Sequence, residues 1–180
     1  ALKQLGKINE ALVAMQKSAQ LAPQDFECHN NLGITLGDLG RLEEAEKSFK
    51  QVIKLKPDHI FAHNHLGITL LALNRLDEAK ESCKQAIKLK PDFLDAHNNL
   101  GNIFLKLDKL NEAEKSYRQV IKLKPDYAIG YCNLGITLKA LARFDEAEKN
   151  YKQAIKLKPD FTEAYDALAV VMNLKGDLKS

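Results

Sequence analysis

The hexapeptide Ile-Lys-Leu-Lys-Pro-Asp occurs four times, beginning at Ile53, Ile87, Ile121 and Ile155, and each copy starts 34 residues after the one before. A fixed period of this size constrains the fold more than any local motif does. It specifies an array of one repeated unit in which each copy contacts its neighbours, and it places function on the surface that the stacked units present. All five prolines, Pro23, Pro57, Pro91, Pro125 and Pro159, fall in one phase of that period. Proline cannot continue a helix interior, so these residues separate helices. Abundant Lys, Glu, Leu and Ala agree with an all-helical chain.

With each proline set as position 32, full units are expected at 26–59, 60–93, 94–127 and 128–161 of a single array over 1–180. A partial unit (1–25) precedes them and another (162–180, first helix only) follows. Position 7 is then Leu32, Leu66, Leu100, Leu134 and Leu168. Position 8 is Gly33, Gly67, Gly101 and Gly135, then Ala169, and position 20 is Ala11, Ala45, Ala79, Ala113 and Ala147. Helix A takes its apolar stripe from positions 4, 7, 8 and 11, and helix B from 17, 20, 24, 27, 28 and 30, both at helical spacing. Glycine inside a helix costs about 1 kcal/mol against alanine, so its return at position 8 requires a close packing partner. Position 15 is Gly40, Asn74, Asp108 and Gly176, residues that tolerate the left-handed conformation ending a helix, whereas Ala142 is expected to be strained there. Helix B opens on acids such as Glu43 and Glu44 and closes on lysines, both favourable to the helix dipole.

Leu-Gly at positions 7 and 8, a bulky residue at 11, Ala at 20, an aromatic near 24 and Pro at 32 resemble the tetratricopeptide repeat, over essentially the whole chain. The wording Asn-Asn-Leu-Gly with Ile-Lys-Leu-Lys-Pro-Asp is also similar to the arrays of O-linked GlcNAc transferases and of bacterial repeat proteins. The resemblance implies a right-handed α-α superhelix with helix A on its concave side and helix B on its convex side. It implies a non-catalytic protein-interaction scaffold that takes an extended peptide or a partner helix in the groove. Two alternatives are the substrate-recognition arm of a larger enzyme, such as a glycosyltransferase, and an anionic-ligand binder.

Carried onto this chain, the concave face holds an amide row at position 6 (Asn31, His65, Asn99, Asn133) beside Asn30, Asn64 and Asn98 at position 5. An asparagine amide both donates and accepts, so such a ladder can hold a peptide backbone with little regard to its sequence. Equally, polar residues on a helix face serve packing or solvation. Position 9 adds an apolar row, Ile34, Ile68, Ile136 and Val170, interrupted by Asn102, with Phe61, Leu71 and Ile129 on the same face. Positions 2, 5, 6 and 9 of the full units carry no Lys or Arg, which argues against capture of a terminal carboxylate.

Other constellations point to structure. His29, His63 and His97 share position 4 of the packing stripe with Tyr131 and Tyr165, so they are expected to pack and not to bind metal. No cofactor motif, nucleophile–base set or phosphate loop is present. Lys50, Lys54, Lys84, Lys88, Arg118, Lys122, Lys152 and Lys156 form a basic stripe on helix B, read as a solvated convex face with anion binding as the alternative. A net charge of +3 gives no reason to expect nucleic acid or membrane as partner. Cys28, Cys83 and Cys132 have neither disulfide nor metal spacing, which fits a reducing, cytoplasmic setting. The chain lacks an initiator Met and opens within a repeat, so it is expected to be a piece of something longer. A final helix A without its helix B leaves Leu168 and Met172 uncovered, making self-association through a terminal repeat an expectation.

Overall fold

The computed structural model describes residues 2–177. Ala1 and residues 178–180, counted in the expected partial units, lie outside the described residues. The chain folds into two compact units, residues 1–91 and 92–180.

The first unit holds α1 (Leu2–Leu21), α2 (Phe26–Asp38), α3 (Leu42–Leu55), α4 (Ile60–Ala72) and α5 (Leu76–Leu89). The second holds α6 (Leu94–Lys106), α7 (Leu110–Leu123), α8 (Ala128–Ala140), α9 (Phe144–Leu157) and α10 (Thr162–Asp177). The described residues are all-helical apart from short turns. α2, α4, α6 and α8 are the predicted A helices, and α3, α5, α7 and α9 the predicted B helices.

The A-to-B turn repeats the same physics four times. The amide of residue 16 reaches back to the carbonyl of residue 11 (Arg41 to Leu36, Arg75 to Leu70, Lys109 to Phe104, Arg143 to Leu138; 2.8–2.9 Å). This closure requires a left-handed residue between them. Gly40 (φ 72°), Asn74 (59°), Asp108 (55°) and Ala142 (56°) supply it. Ala142 thus carries the strain expected of an alanine in that region. Gly176 does not follow suit, because α10 runs on through it. Glycine permits a left-handed turn without imposing one, and no helix B among the described residues folds back on α10.

Each pair is locked by the residue at position 24. A Cβ placed on Gly33 would lie 2.8 Å from the Phe49 ring, on Gly67 2.5 Å from Cys83 Sγ, on Gly101 2.6 Å from Tyr117, and on Gly135 2.6 Å from Tyr151. The glycine is therefore a seat for the side chain opposite. Ala45, Ala79, Ala113 and Ala147 at position 20 are completely buried beside it, while the corresponding Ala11 of α1 is exposed. Burial pushes the Cys83 thiol up to about 12 and leaves it inert.

Candidate functional site

At position 4, side chains close the junction between repeats. His29 Nε2 lies 3.2 Å from the Pro23 carbonyl and His63 Nε2 2.8 Å from that of Pro57. A carbonyl only accepts, so Nε2 of each ring carries the proton. Tyr131 makes the equivalent bond, its hydroxyl donating to Pro125 at 3.1 Å. Imidazole and phenol are interchangeable here because both place a donor over the same carbonyl.

Half of the basic stripe is paired with neighbouring acids. Lys50 pairs with Glu46, Lys84 with Glu81, Arg118 with Glu114 and Lys152 with Glu148, at 2.6–3.3 Å. Two arginines strap successive repeats together: Arg75 bridges Glu78 and Glu46, and Arg143 bridges Glu146 and Glu114. Burial raises the Glu46 and Glu114 carboxyls, but hydrogen bonds from the adjacent cations outweigh it and hold both below their ordinary range. The second lysine of the hexapeptide stacks on an aromatic ring, Lys124 over Tyr127 at 5.6 Å and Lys158 over Phe161 at 5.1 Å. A cleft of about 590 Å³ does lie on this side, lined by Arg118, Lys122, Tyr131, Glu146 and Lys149, but it mixes both charges.

The amides of helix A divide by position. In the first unit Asn31 is exposed, Asn30 is half-buried, His65 packs its ring 5.3 Å from Phe49, and Asn64 is only 3% exposed. Asn64 therefore offers almost no surface to a ligand, contrary to its expected place in the ladder. In the second unit Asn133 Nδ2 donates to Asn98 Oδ1 at 3.0 Å, a bond between consecutive A helices. Asn99 is half-buried. Asn102 is also half-buried, and its Oδ1 accepts from the Tyr117 hydroxyl at 2.6 Å. These pairings and burials divert amides from the expected ladder into the fold. Among the described residues the Asn30 Oδ1 is buried without a hydrogen bond.

The apolar row stays open. Ile34 (37%), Ile68 (42%) and Ile136 (38%) are exposed, as are Phe61, Ile129 and Val170. In the first unit, Ile34 and Ile68 flank a cleft of about 400 Å³ between α2 and α4. Gly33, Gly37, Phe49, Leu42 and Ala72 complete its apolar lining, with His65, Thr69 and Asp38 as its polar members. The sequence placed both isoleucines on this face, but it did not single out Gly37, whose missing side chain opens the cleft. Position 12 holds leucine in the next two units (Leu71, Leu105), and that contrast was available to find it. On α10, Leu168 is half-buried and Met172 is 55% exposed. No helix of the described residues is long and apolar enough to cross a membrane.

Comparison with known proteins gives the same architecture. No curated protein matches the chain. Among solved structures, one of MamA superposes with a TM-score of 0.81 at 24% identity, covering 89% of this chain and 94% of that one. YrrB, described as a TPR protein with an unusual peptide-binding site, superposes at 0.76 and 20% identity, covering 92% and 86%. TTC0263 of Thermus thermophilus, a thermophilic TPR protein, gives 0.75 at 24%, covering 95% and 93%. These likenesses establish the α-α superhelical solenoid fold. The tetratricopeptide repeat model matches residues 26–59, 94–127 and 128–161, and a second TPR model matches 69–108. The chain belongs to the tetratricopeptide repeat family, whose repeats serve as protein-interaction scaffolds.

Proposed function

We propose that this chain is a non-catalytic scaffold that holds a segment of a partner protein, an extended peptide or a helix, against its helix-A face. The observation that carries this reading is the α2–α4 cleft, whose largely apolar lining includes Ile34 and Ile68, exposed at the same position of consecutive repeats. Apolar side chains repeated in register are the chemistry that docks a peptide's apolar residues or the apolar stripe of a helix. YrrB, a structural neighbour with a peptide-binding site of its own, lends support from the same architecture. The helix-B cations carry less weight as a site, since Lys50, Arg118 and Lys152 are each met by an acid within the fold.

The amide ladder keeps a reduced role. Asn31 faces solvent and is free to meet a peptide backbone, whereas Asn98, Asn133 and Asn102 already bond inside the fold. The apolar row thus dominates affinity, and Asn31 contributes register. Selection of binders from a random dodecapeptide library on the 180-residue chain tests this reading. Selected peptides are expected to lose about tenfold or more in affinity for the Ile34→Ser/Ile68→Ser variant, about 1.4 kcal/mol or more. Peptides bound equally by that variant, with its helicity intact, would place the site elsewhere.

A further inference from the structure

Resting on that reading, we infer that the α2–α4 cleft selects a basic side chain, a Lys or Arg of the bound segment, through the pair Gly37 and Asp38. Gly37 has no structural need to be glycine. It lies inside α2, its φ is not left-handed, and a Cβ there would meet nothing within 4 Å. This separates it from Gly33, Gly67, Gly101 and Gly135, each of which seats a side chain. What glycine does at 37 is leave the cleft open where its counterpart in α4 is Leu71.

Asp38 is equally unexplained by the fold. It is the last residue of α2, the end of a helix that disfavours an anion, and no basic residue occupies that last turn. The third and fourth units carry Lys106 and Lys139 in the last turns of their A helices. On the B helices α3 and α5, Glu44, Glu46 and Glu78 are paired with cations. Asp38 is exposed and has no ion-pair partner among the described residues. It is also the one formal charge among the residues lining the cleft.

A largely apolar cleft with a single carboxylate in its lining complements one kind of side chain. The methylenes of Lys or Arg would pack on Ile34, Ile68 and Ala72, and the cationic head would pair with Asp38. A neutral aliphatic side chain would use the cleft and leave the carboxylate idle.

The same dodecapeptide library, panned on the wild-type chain and on Asp38→Lys, separates these cases. The wild type is expected to enrich peptides with a fixed Lys or Arg, and those peptides should bind Asp38→Lys at least about tenfold more weakly. Asp38→Lys should itself enrich Asp or Glu at that place. Gly37→Leu should abolish binding while leaving thermal stability equal or higher, which excludes unfolding as the cause. Peptides that depend on Ile34 and Ile68 but lack a basic preference, and bind Asp38→Lys undiminished, would overturn the basic-side-chain inference and leave groove binding standing. Peptides indifferent to Ile34→Ser/Ile68→Ser would remove both.

Discussion

The Tyr117 hydroxyl donates to Asn102 Oδ1 at 2.6 Å, and this bond explains why the row of isoleucines at position 9 is broken at that one full unit. Tyr117 fills the seat above Gly101 and is wholly buried, so its hydroxyl needs an acceptor within the fold. Where position 24 is Phe49 or Cys83, position 9 remains isoleucine. The fourth unit breaks the rule. Tyr151 is just as buried, but position 9 of its repeat is Ile136, and its hydroxyl has no hydrogen-bond partner among the described residues.

Two tyrosine-to-phenylalanine substitutions should consequently differ. Tyr117→Phe is expected to destabilise by about 1 kcal/mol, because it strips the Asn102 amide of its donor. Tyr151→Phe is expected to be neutral or stabilising, since it removes an unmet hydroxyl. Urea denaturation midpoints of the two variants give the comparison, and equal losses would contradict it.

The glycines should likewise separate into two classes. Gly101→Ala and Gly135→Ala drive a methyl into a tyrosine ring and should cost about 1–3 kcal/mol. Gly37→Ala meets open space and should gain about 0.5–1 kcal/mol from helix propensity. Thermal unfolding followed by circular dichroism distinguishes the signs.

Ala142 holds a left-handed φ of 56° that its counterpart Gly40 adopts without strain. Replacing it with Gly or Asn should stabilise by about 0.5–1 kcal/mol, the relief of a strained alanine less the entropy that a freer residue loses. A lower melting temperature for both variants would show that the turn does not need left-handed tolerance.

Acid should loosen α10 first. Hydrogen bonds from Lys152 and Lys175 hold the Glu148 carboxyl at about 2, below its ordinary 4.5, and Lys175 belongs to α10. A carboxyl lowered on folding adds stability above its unfolded pKa and loses it as pH falls toward the folded one. Amide exchange in α10 should therefore accelerate, beyond the intrinsic pH trend, between about pH 4.5 and 2. Glu148→Gln should flatten that dependence.

How much of this was legible in the sequence follows from which contacts are local to one repeat. The period fixes helix phase, so Gly101 beneath Tyr117 and the strain at Ala142 could be reasoned from position alone. Bonds across repeats could not. Asn98 and Asn133 stand 35 residues apart and meet only because consecutive A helices settle at one particular rotation and offset. The burial of Asn64 depends on the same kind of offset. Gly176 departs from its position for a different reason: glycine allows a turn but does not make one, and α10 runs through it. The Asn102–Tyr117 pair was within reach, since both positions depart from their neighbours in the same unit.

The most direct test of the helix-A face is a titration of the isoleucine δ1-methyl-labelled chain with a peptide chosen from the dodecapeptide selection, followed by methyl NMR. The Ile34 and Ile68 methyls should shift most, while Ile53 and Ile87 near the ends of the B helices should hold their positions. Shifts confined to Ile53, Ile87 or Ile121, with Ile34 and Ile68 unmoved, would contradict binding in the α2–α4 cleft.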